Sequence, residues 1–449
     1  MPTIMRRKSD VIIVGAGMAG LAAAVKLGGS GFSVQILEAR ERIGGRVLTQ
    51  IDSASGFPIE LGAEFIHGFP PEIWEPLQRS NIKATEVEGE NWCLDSSQLR
   101  PCRFFPEVDR ILGKMDGKAP DESFFQFLKR TATTDSRQAD ARRRALGYVV
   151  GFNAADPDLV GVHWLVKGMR AEETIQGHRA FRAANGYQSL LAIFRDQLTK
   201  AGASLRMETV VENIEWNPGV VTITAHDREG SPTFRADRVI VTVPLAVLKA
   251  SPGTPGAIQF TPGLQKEKTT ALDRLEMGKV IRLVFKFKDR FWEGISPENK
   301  QRSLANLSFL FLQNVWFPTW WTAMPDKTPI ITGWAPFDCA ERLSGKSHAF
   351  VVNQGLETLA GALMVGVGEL EHCLESAHFH DWQNDPFSRG AYSYGKVGAD
   401  GAQEELARPI ENRIFFAGEA TDTSGHNGTV HGAIASGYRA AEEVLRAAR

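Results

Sequence analysis

Six residues near the start of the chain, Gly15-Ala16-Gly17-Met18-Ala19-Gly20, have the spacing G-x-G-x-x-G. Glycines so placed allow a tight turn, let a pyrophosphate come close to the backbone and let a helix pack against the preceding strand. The pattern is weak alone, but its surroundings strengthen it. An apolar run over residues 11–14 precedes it, residues 21–27 continue it with helical character, and a second apolar run over 32–37 ends at Glu38, 18 residues beyond Gly20. Together these predict a dinucleotide site, with phosphate held by N–H groups at the helix start and ribose hydroxyls bonded to Glu38. Beyond Glu38-Ala39-Arg40 the chain reads Ile43-Gly44-Gly45-Arg46. A second glycine pair and a cation at that distance suit the longer reach of FAD, with Arg46 meeting pyrophosphate charge and Arg40 packing near the adenosine.

Residues 11–14, the glycine turn and residues 32–37 form a βαβ unit. Strands and turns are expected over 51–68, and mainly helices from Pro70 to about Gln197, most clearly over 121–148. Strand character returns over 204–214, 220–225 and 239–243, and again over 280–287 and 330–334. A helix is expected over 356–367, a short buried strand over 414–417, and a last helix over 430–448 with Ile434, Tyr438, Val444 and Leu445 on its apolar face. Partners for the first βαβ unit thus come from separated regions. The fold class expected is α/β plus α+β: a discontinuous Rossmann-like FAD-binding domain (1–75, 204–270 and 380–449) interleaved with a substrate-binding domain of mixed sheet and helices (76–203 and 271–379).

The chain has 449 residues, 43% hydrophobic and 23% charged, so it can bury a sizeable core. With 51 Lys+Arg against 53 Asp+Glu, it carries no bulk charge for nucleic acid. Cys93, Cys102, Cys339 and Cys373 lack metal-ligand spacing, so no metal is expected. Few cysteines suggest a reducing, cytoplasmic setting. The basic Arg6, Arg7 and Lys8 before an apolar run imitate a signal peptide, but glycine interrupts the run too early, and no membrane anchor is expected. Glycine is in excess. Ten of the 43 glycines lie in residues 1–62 and nine in 390–437, the two regions assigned to FAD.

The motifs at 11–20 and 38–46 occur with Glu60-Leu61-Gly62-Ala63, Trp382 with Asp385-Pro386-Phe387, and Phe416-Ala417-Gly418-Glu419. This set resembles the FAD-dependent amine oxidases, a family that includes monoamine oxidases, polyamine oxidases and flavin histone lysine demethylases. Thr429-Val430-His431-Gly432-Ala433, Phe65-Ile66-His67-Gly68 and Gly390-Ala391-Tyr392-Ser393-Tyr394 are closer to the polyamine oxidase and demethylase branch. The resemblance implies that Gly62, Ala63, Glu64 and Phe65 line the flavin, Val211 contacts adenine, Gly418 and Glu419 bind the ribose or ribityl side, and Val430 meets the ring edge. It also implies that Trp382 packs near the isoalloxazine, Tyr392 walls the substrate cage, and His67 is an ionisable group near the substrate amine.

Three departures stand out. The second cage aromatic of monoamine oxidases falls on Thr429, which leaves Tyr392 alone and is equally readable as a helix-entry residue. The covalent flavin cysteine falls on Ala391, so FAD is expected to be non-covalent. The family lysine that holds a water near the flavin falls on Arg282, ten residues before Trp292, with Lys279 expected on the opposite strand face. Arginine stays charged and offers a planar fork, so the exchange is not neutral. Trp316, Phe317, Trp320, Trp321 and Trp334 either line a tunnel or pack a core, and Glu86, Glu88 and Glu90 form an acidic run.

The expected reaction is amine oxidation. Hydride passes from the carbon next to nitrogen to FAD, the imine hydrolyses, and oxygen is reduced to peroxide. The expected partners are a small-molecule amine and oxygen, without nucleic acid or membrane, and the chain as monomer or homodimer. An amino acid or amide oxidase or desaturase of a biosynthetic pathway remains open, since Arg282 could hold a carboxylate. A flavin-binding protein without turnover is the reading from another class.

Overall fold

The computed structural model describes residues 9–95, 98–132, 135–297 and 302–449. The basic cluster Arg6, Arg7 and Lys8 lies outside them. Strand Ser9–Val14 is followed by helix Met18–Gly28 and strand Val34–Leu37, as the apolar runs require. Their sheet runs in the order Ser204–Arg206, Val34–Leu37, Ser9–Val14, Thr233–Val241, Val221–His226, Val210–Trp216 and Gln259–Thr261. Thr233–Val241 has two partners on one edge. Its first half pairs antiparallel with Val221–His226, and its second half pairs parallel with Ile414–Phe416. The last strand thereby brings the C-terminal region to the ends of the first strands. Helix Val430–Ala447 then packs on helix Met18–Gly28 so closely that a Cβ on Gly437 would stand 2.2 Å from the carbonyl oxygen of Ala19.

A second, seven-stranded sheet runs Leu374–His378, Val280–Phe287, Ile330–Pro336, Thr319–Thr322, Leu307–Phe311, Glu90–Asp95 and Gln98–Pro101. Every residue of Val280–Phe287 is buried. Its alternation sorts the faces. Ile281, Leu283, Phe285 and Phe287 join one apolar cluster. Arg282 and Lys286 share the other face with Val284. There Lys286 pairs with Asp52 at 2.9 Å and Glu375 at 3.0 Å.

Several expectations need correction. The region 70–197 also contains strands Ala84–Glu86, Glu90–Asp95, Gln98–Pro101 and Ala180–Ala183; three have four residues or fewer, and in Glu90–Asp95 burial does not alternate. The stretch 121–148 is two helices, Phe124–Arg130 and Ser136–Asn153. Residues 204–214 split into two strands around Glu208, at φ +51°. The helix expected over 356–367 is His348–Leu363, stopped by left-handed Met364, with Val367–Cys373 a separate helix. Lys279 precedes the strand and pairs with Glu341. A disulfide joins Cys93 to Cys102, while Cys339 and Cys373 are free. A uniformly reducing setting would not favour that bridge. Among the described residues no single helix is long and apolar enough to cross a membrane, and only the pair His348–Leu363 and Val367–Cys373, bent by 116°, passes jointly on length and composition.

Candidate active site

The first strand is followed by Gly15, whose φ of +103° is readily available only to glycine. Gly17 caps helix Met18–Gly28 with extended backbone, without a capping side chain and without an acid in the first turn. The leading N–H groups and the positive end of the helix are therefore free to meet an anion. A Cβ on Gly20 would lie 2.0 Å from the Gly15 carbonyl oxygen, so the turn tolerates no side chain there. A Cβ on Gly17 would find nothing nearer than the Gly45 Cα at 4.0 Å. Gly44 and Gly45, both at positive φ, face the loop through a Gly17–Gly44 bridge. Met18 and Ala19 are buried behind it. The result is a backbone cradle that a Cβ would fill, and it fits the pyrophosphate of FAD.

Glu38 is 4% exposed and accepts hydrogen bonds from the N–H groups of Ala16 at 2.7 Å and Arg40 at 2.9 Å. The chain before Val211 runs alongside, with Thr209 N–H donating to the Glu38 carbonyl and Glu208 N–H to that of Arg40. Val211 itself is buried in strand Val210–Trp216. The Arg40 guanidinium turns to Asp385 at 2.8 Å and Ser388 at 3.0 Å and covers the Phe387 ring. Burial alone would raise the Asp385 carboxyl, but hydrogen bonds from His380 and Arg40 hold it well below the usual carboxylate range.

Arg46 donates to the Ala391 carbonyl at 2.7 Å and to Glu419 at 2.8 Å. The buried Glu419 carboxylate also accepts from Ser393 Oγ at 2.6 Å and Gly428 N–H at 2.9 Å. Its oxygens are spent on protein partners, so it acts as a bracket joining three loops. The expected contact between Arg46 and pyrophosphate competes with this pair. Gly418, at φ +122°, donates its N–H to Ser436 Oγ.

Beyond the bracket, Trp382 donates Nε1–H to the Leu61 carbonyl at 2.8 Å, and a Cβ on Gly62 would be 3.3 Å from its ring. Ala63 N–H donates to the Arg46 carbonyl. Glu64 lies between two arginines. Arg282 donates to the Gly62 carbonyl at 3.0 Å and to Glu64, and Arg182 bonds Glu64 together with the carbonyls of Met324 and Thr322. Trp321 adds an Nε1–H donor at 2.9 Å. Burial pushes the Glu64 carboxyl up, but the Arg282 and Arg182 guanidiniums outweigh it and hold Glu64 below its ordinary value. Arg282 Nε is buried without a partner. With its terminal nitrogens engaged by Gly62 and Glu64, Arg282 is not free to grip a substrate carboxylate, which counts against the amino acid oxidase reading.

Tyr392 donates its hydroxyl to the Phe152 carbonyl at 2.6 Å. Phe152 meets His67 edge-on at 5.3 Å, and Phe65 meets His67 at 6.2 Å, Phe309 at 6.1 Å and Trp321 at 5.6 Å. Thr429 is the N-cap of helix Val430–Ala447. Its hydroxyl oxygen accepts from Gly432 N–H at 3.0 Å and its O–H donates to the His426 carbonyl at 2.6 Å. Its side chain is committed to helix entry, and Val430 is the first helical residue. Of the aromatic stretch, Phe317 and Trp320 are core, while Trp321 and Trp334 turn to the site.

Sequence reasoning missed Arg182, Tyr148, Phe152 and the His426–His431 pair. The histidine rings lie 4.7 Å apart, and Nδ1 of His426 and Nε2 of His431 are buried without partners. Burial first, then His426 and His67, lowers the His431 pKa well below the ordinary histidine value. Arg182 carried a faint signal, as a charged residue in the alternation Ala180-Phe181-Arg182-Ala183. Tyr148 and Phe152 carried only an i, i+4 spacing, indistinguishable from core.

The model of the family described as flavin containing amine oxidoreductase matches residues 18–107 and 109–445. The chain is similar to "Polyamine oxidase 4" of Oryza sativa subsp. japonica, 28% identical over 476 residues that span 99% of this chain and 90% of the relative. It is also similar to "Lysine-specific histone demethylase 1 homolog 2" of Arabidopsis thaliana, 28% identical over 465 residues, 98% of this chain but 59% of that protein. Among solved structures, putrescine oxidase bound to putrescine superposes with a TM-score of 0.80 at 21% identity, covering 98% of this chain and 99% of that one.

Proposed function

The chain belongs to the flavin-containing amine oxidoreductases, and we propose that it oxidises a small-molecule amine at the carbon next to nitrogen with non-covalent FAD and oxygen. One observation carries this reading. The diphosphate cradle and the aromatic pocket are joined by continuous contacts, from Gly45 through Arg46 to Glu419 and the Ala391 carbonyl, and so to Tyr392. The cofactor groups proposed are the loop Gly15–Gly20 for the diphosphate, Glu38, Arg40 and Val211 for the adenosine, and Gly62–Phe65, Gly418 and Val430 for the flavin side. When bound there, FAD supplies the redox chemistry. The proposed division places cofactor residues in 1–75, 204–270 and 380–449, and substrate residues in 76–203 and 271–379.

Tyr392 presents a ring face to the amine and is fixed by its bond to Phe152. His67, half-buried between Phe65 and Phe152, is positioned to take the ammonium proton, so that the nitrogen lone pair assists loss of hydrogen from carbon. Trp382 holds the Leu61–Gly62 backbone, and Arg282 with Glu64 fixes Gly62 from the other side. Oxygen as acceptor, peroxide as product and a cytoplasmic setting complete the proposal.

Anaerobic titration of the yellow holoenzyme tests it, with a panel that includes putrescine and longer polyamines, named for the relatives, together with aromatic monoamines and amino acids. Bleaching of the flavin band by at least one amine, and peroxide release with the same amine in air, are expected. Bleaching by no amine overturns the reading.

A further inference from the structure

Helix Ser136–Asn153 ends against the pocket, and its end is built from site residues. Its last carbonyls have no intrahelical donors. That of Gly151 accepts Trp334 Nε1–H at 2.8 Å, and that of Phe152 accepts the Tyr392 hydroxyl at 2.6 Å. Left-handed Ala154, at φ +50°, then turns the chain away. On this last turn Tyr148 and Phe152 stack at 5.2 Å with an interplanar angle of 10°. Phe105 stands edge-on to Tyr148 at 6.4 Å and to Phe309 at 6.3 Å. Phe105 is 39% exposed and Phe152 40% exposed, yet Phe152 also touches His67. One ring wall therefore leads from solvent to the residues beside the reacting carbon. A large ring left this exposed contributes little to the core, which suits a surface that a ligand covers.

We infer that Tyr148 and Phe152 are specificity-determining residues that bind the apolar arm of the substrate amine, the part pointing away from the reacting carbon. The inference rests on the amine oxidase reading of this pocket. The wall selects amines with an arm of several carbons over short amines, because only the former offer apolar surface to both rings of the Tyr148–Phe152 stack. The bonds to the Gly151 and Phe152 carbonyls fix the wall relative to Tyr392, and they survive side-chain substitution at Phe152 because they are made to the backbone.

The probes are hexyltrimethylammonium and tetramethylammonium, which lack a nitrogen lone pair and cannot be oxidised. Their binding to oxidised holoenzyme is read from the visible flavin spectrum. In Phe152→Ala and Tyr148→Ala the dissociation constant of the hexyl probe is expected to rise about tenfold, the effect of losing one ring contact. That of tetramethylammonium should change less than about twofold. Phe152→Leu, which keeps apolar bulk and guards against misfolding, should recover most of the affinity. An unchanged hexyl constant in both alanine variants, an equal loss for both probes, or no binding of the hexyl probe to the unsubstituted enzyme overturns the wall. Binding is measured without turnover, so an enzyme that binds the probe but is bleached by no amine fails the functional reading and not the wall.

Discussion

At the residue scale, the charges behind the pocket follow from burial. Glu64 neutralises two guanidiniums whose side chains are only 5% and 17% exposed. Glu64→Gln keeps the shape and the acceptor for Trp321 but leaves both cations without a counter-charge, at a cost of about 3–5 kcal/mol. A clear fall in melting temperature is expected, whereas Glu86→Gln, which breaks the half-exposed pair with Arg179, should cost under about 1 kcal/mol. Equal melting temperatures for the two variants would refute the difference. Nearby Glu60 accepts Tyr187 N–H at 2.7 Å and the Thr49 hydroxyl at 2.8 Å, but burial dominates and raises its pKa from 4.5 to about 7. Between those values the unfolded chain has lost the proton while the folded protein keeps it. Ionisation therefore favours unfolding, and stability falls as pH rises through this window by an amount on the order of 3 kcal/mol. Glu60→Gln should match the unsubstituted protein near pH 4.5 and become relatively more stable toward pH 8. Parallel melting curves across that range would contradict it. The identity of Glu60 and Glu64 was visible in the sequence, but their charge partners were not. Arg182 and Arg282 lie 118 and 218 residues from Glu64, and no local pattern encodes such a pairing.

At the element scale, the strongly periodic pieces were legible and the short ones were not. Strand Val280–Phe287 and helix Val430–Ala447 carry enough residues for alternation or an apolar face to show. The four short strands between 84 and 183 do not, and apart from the local pairing of Glu90–Asp95 with Gln98–Pro101 they depend on distant partners. Position 429 illustrates how an element can decide a side chain's role. The resemblance marked it as a cage position, while the start of the last helix needs an oxygen to accept an orphan N–H. Thr429→Ala should cost about 1 kcal/mol through the lost cap, Thr429→Ser should be nearly neutral, and both should retain the amine-dependent rate of flavin reduction once folded. A large rate loss in Thr429→Ala at unchanged melting temperature would show that the hydroxyl serves the substrate instead. The second aromatic wall comes from another element, the end of helix Ser136–Asn153. Its sequence spacing gave no sign of this, because only tertiary packing places Phe152 beside His67.

At the scale of the whole molecule, the glycine-lined cradle proposed for the cofactor was legible because glycine records where backbones approach closely. The convergence of Gly15–Gly20, Gly44–Gly45 and Gly418 beyond the C-terminal ends of the central parallel strands needs strand Thr233–Val241 to pair with both Ser9–Val14 and Ile414–Phe416. The substrate half was not legible, since rings in a pocket wall and rings in a core obey the same composition. Cysteine count describes a chain and not a pair. Cys93 lies in strand Glu90–Asp95, and Cys102 follows Gln98–Pro101, the edge strand of the second sheet. The cross-link closes the hairpin beside helix Phe104–Leu112, which carries the outermost ring of the wall, Phe105. Denaturing the protein without reductant should expose two titratable thiols, those of Cys339 and Cys373, and four after reduction. Four thiols without reductant would show that the bridge does not form. If the bridge is present, reduction should lower stability by about 2 kcal/mol, the low end for a closed loop, because the cysteines are only nine positions apart. The same treatment should weaken the hexyltrimethylammonium probe more than tetramethylammonium, because the loosened hairpin leads directly into the helix that carries Phe105. Loss of stability with probe affinities unchanged would separate the disulfide from the substrate wall.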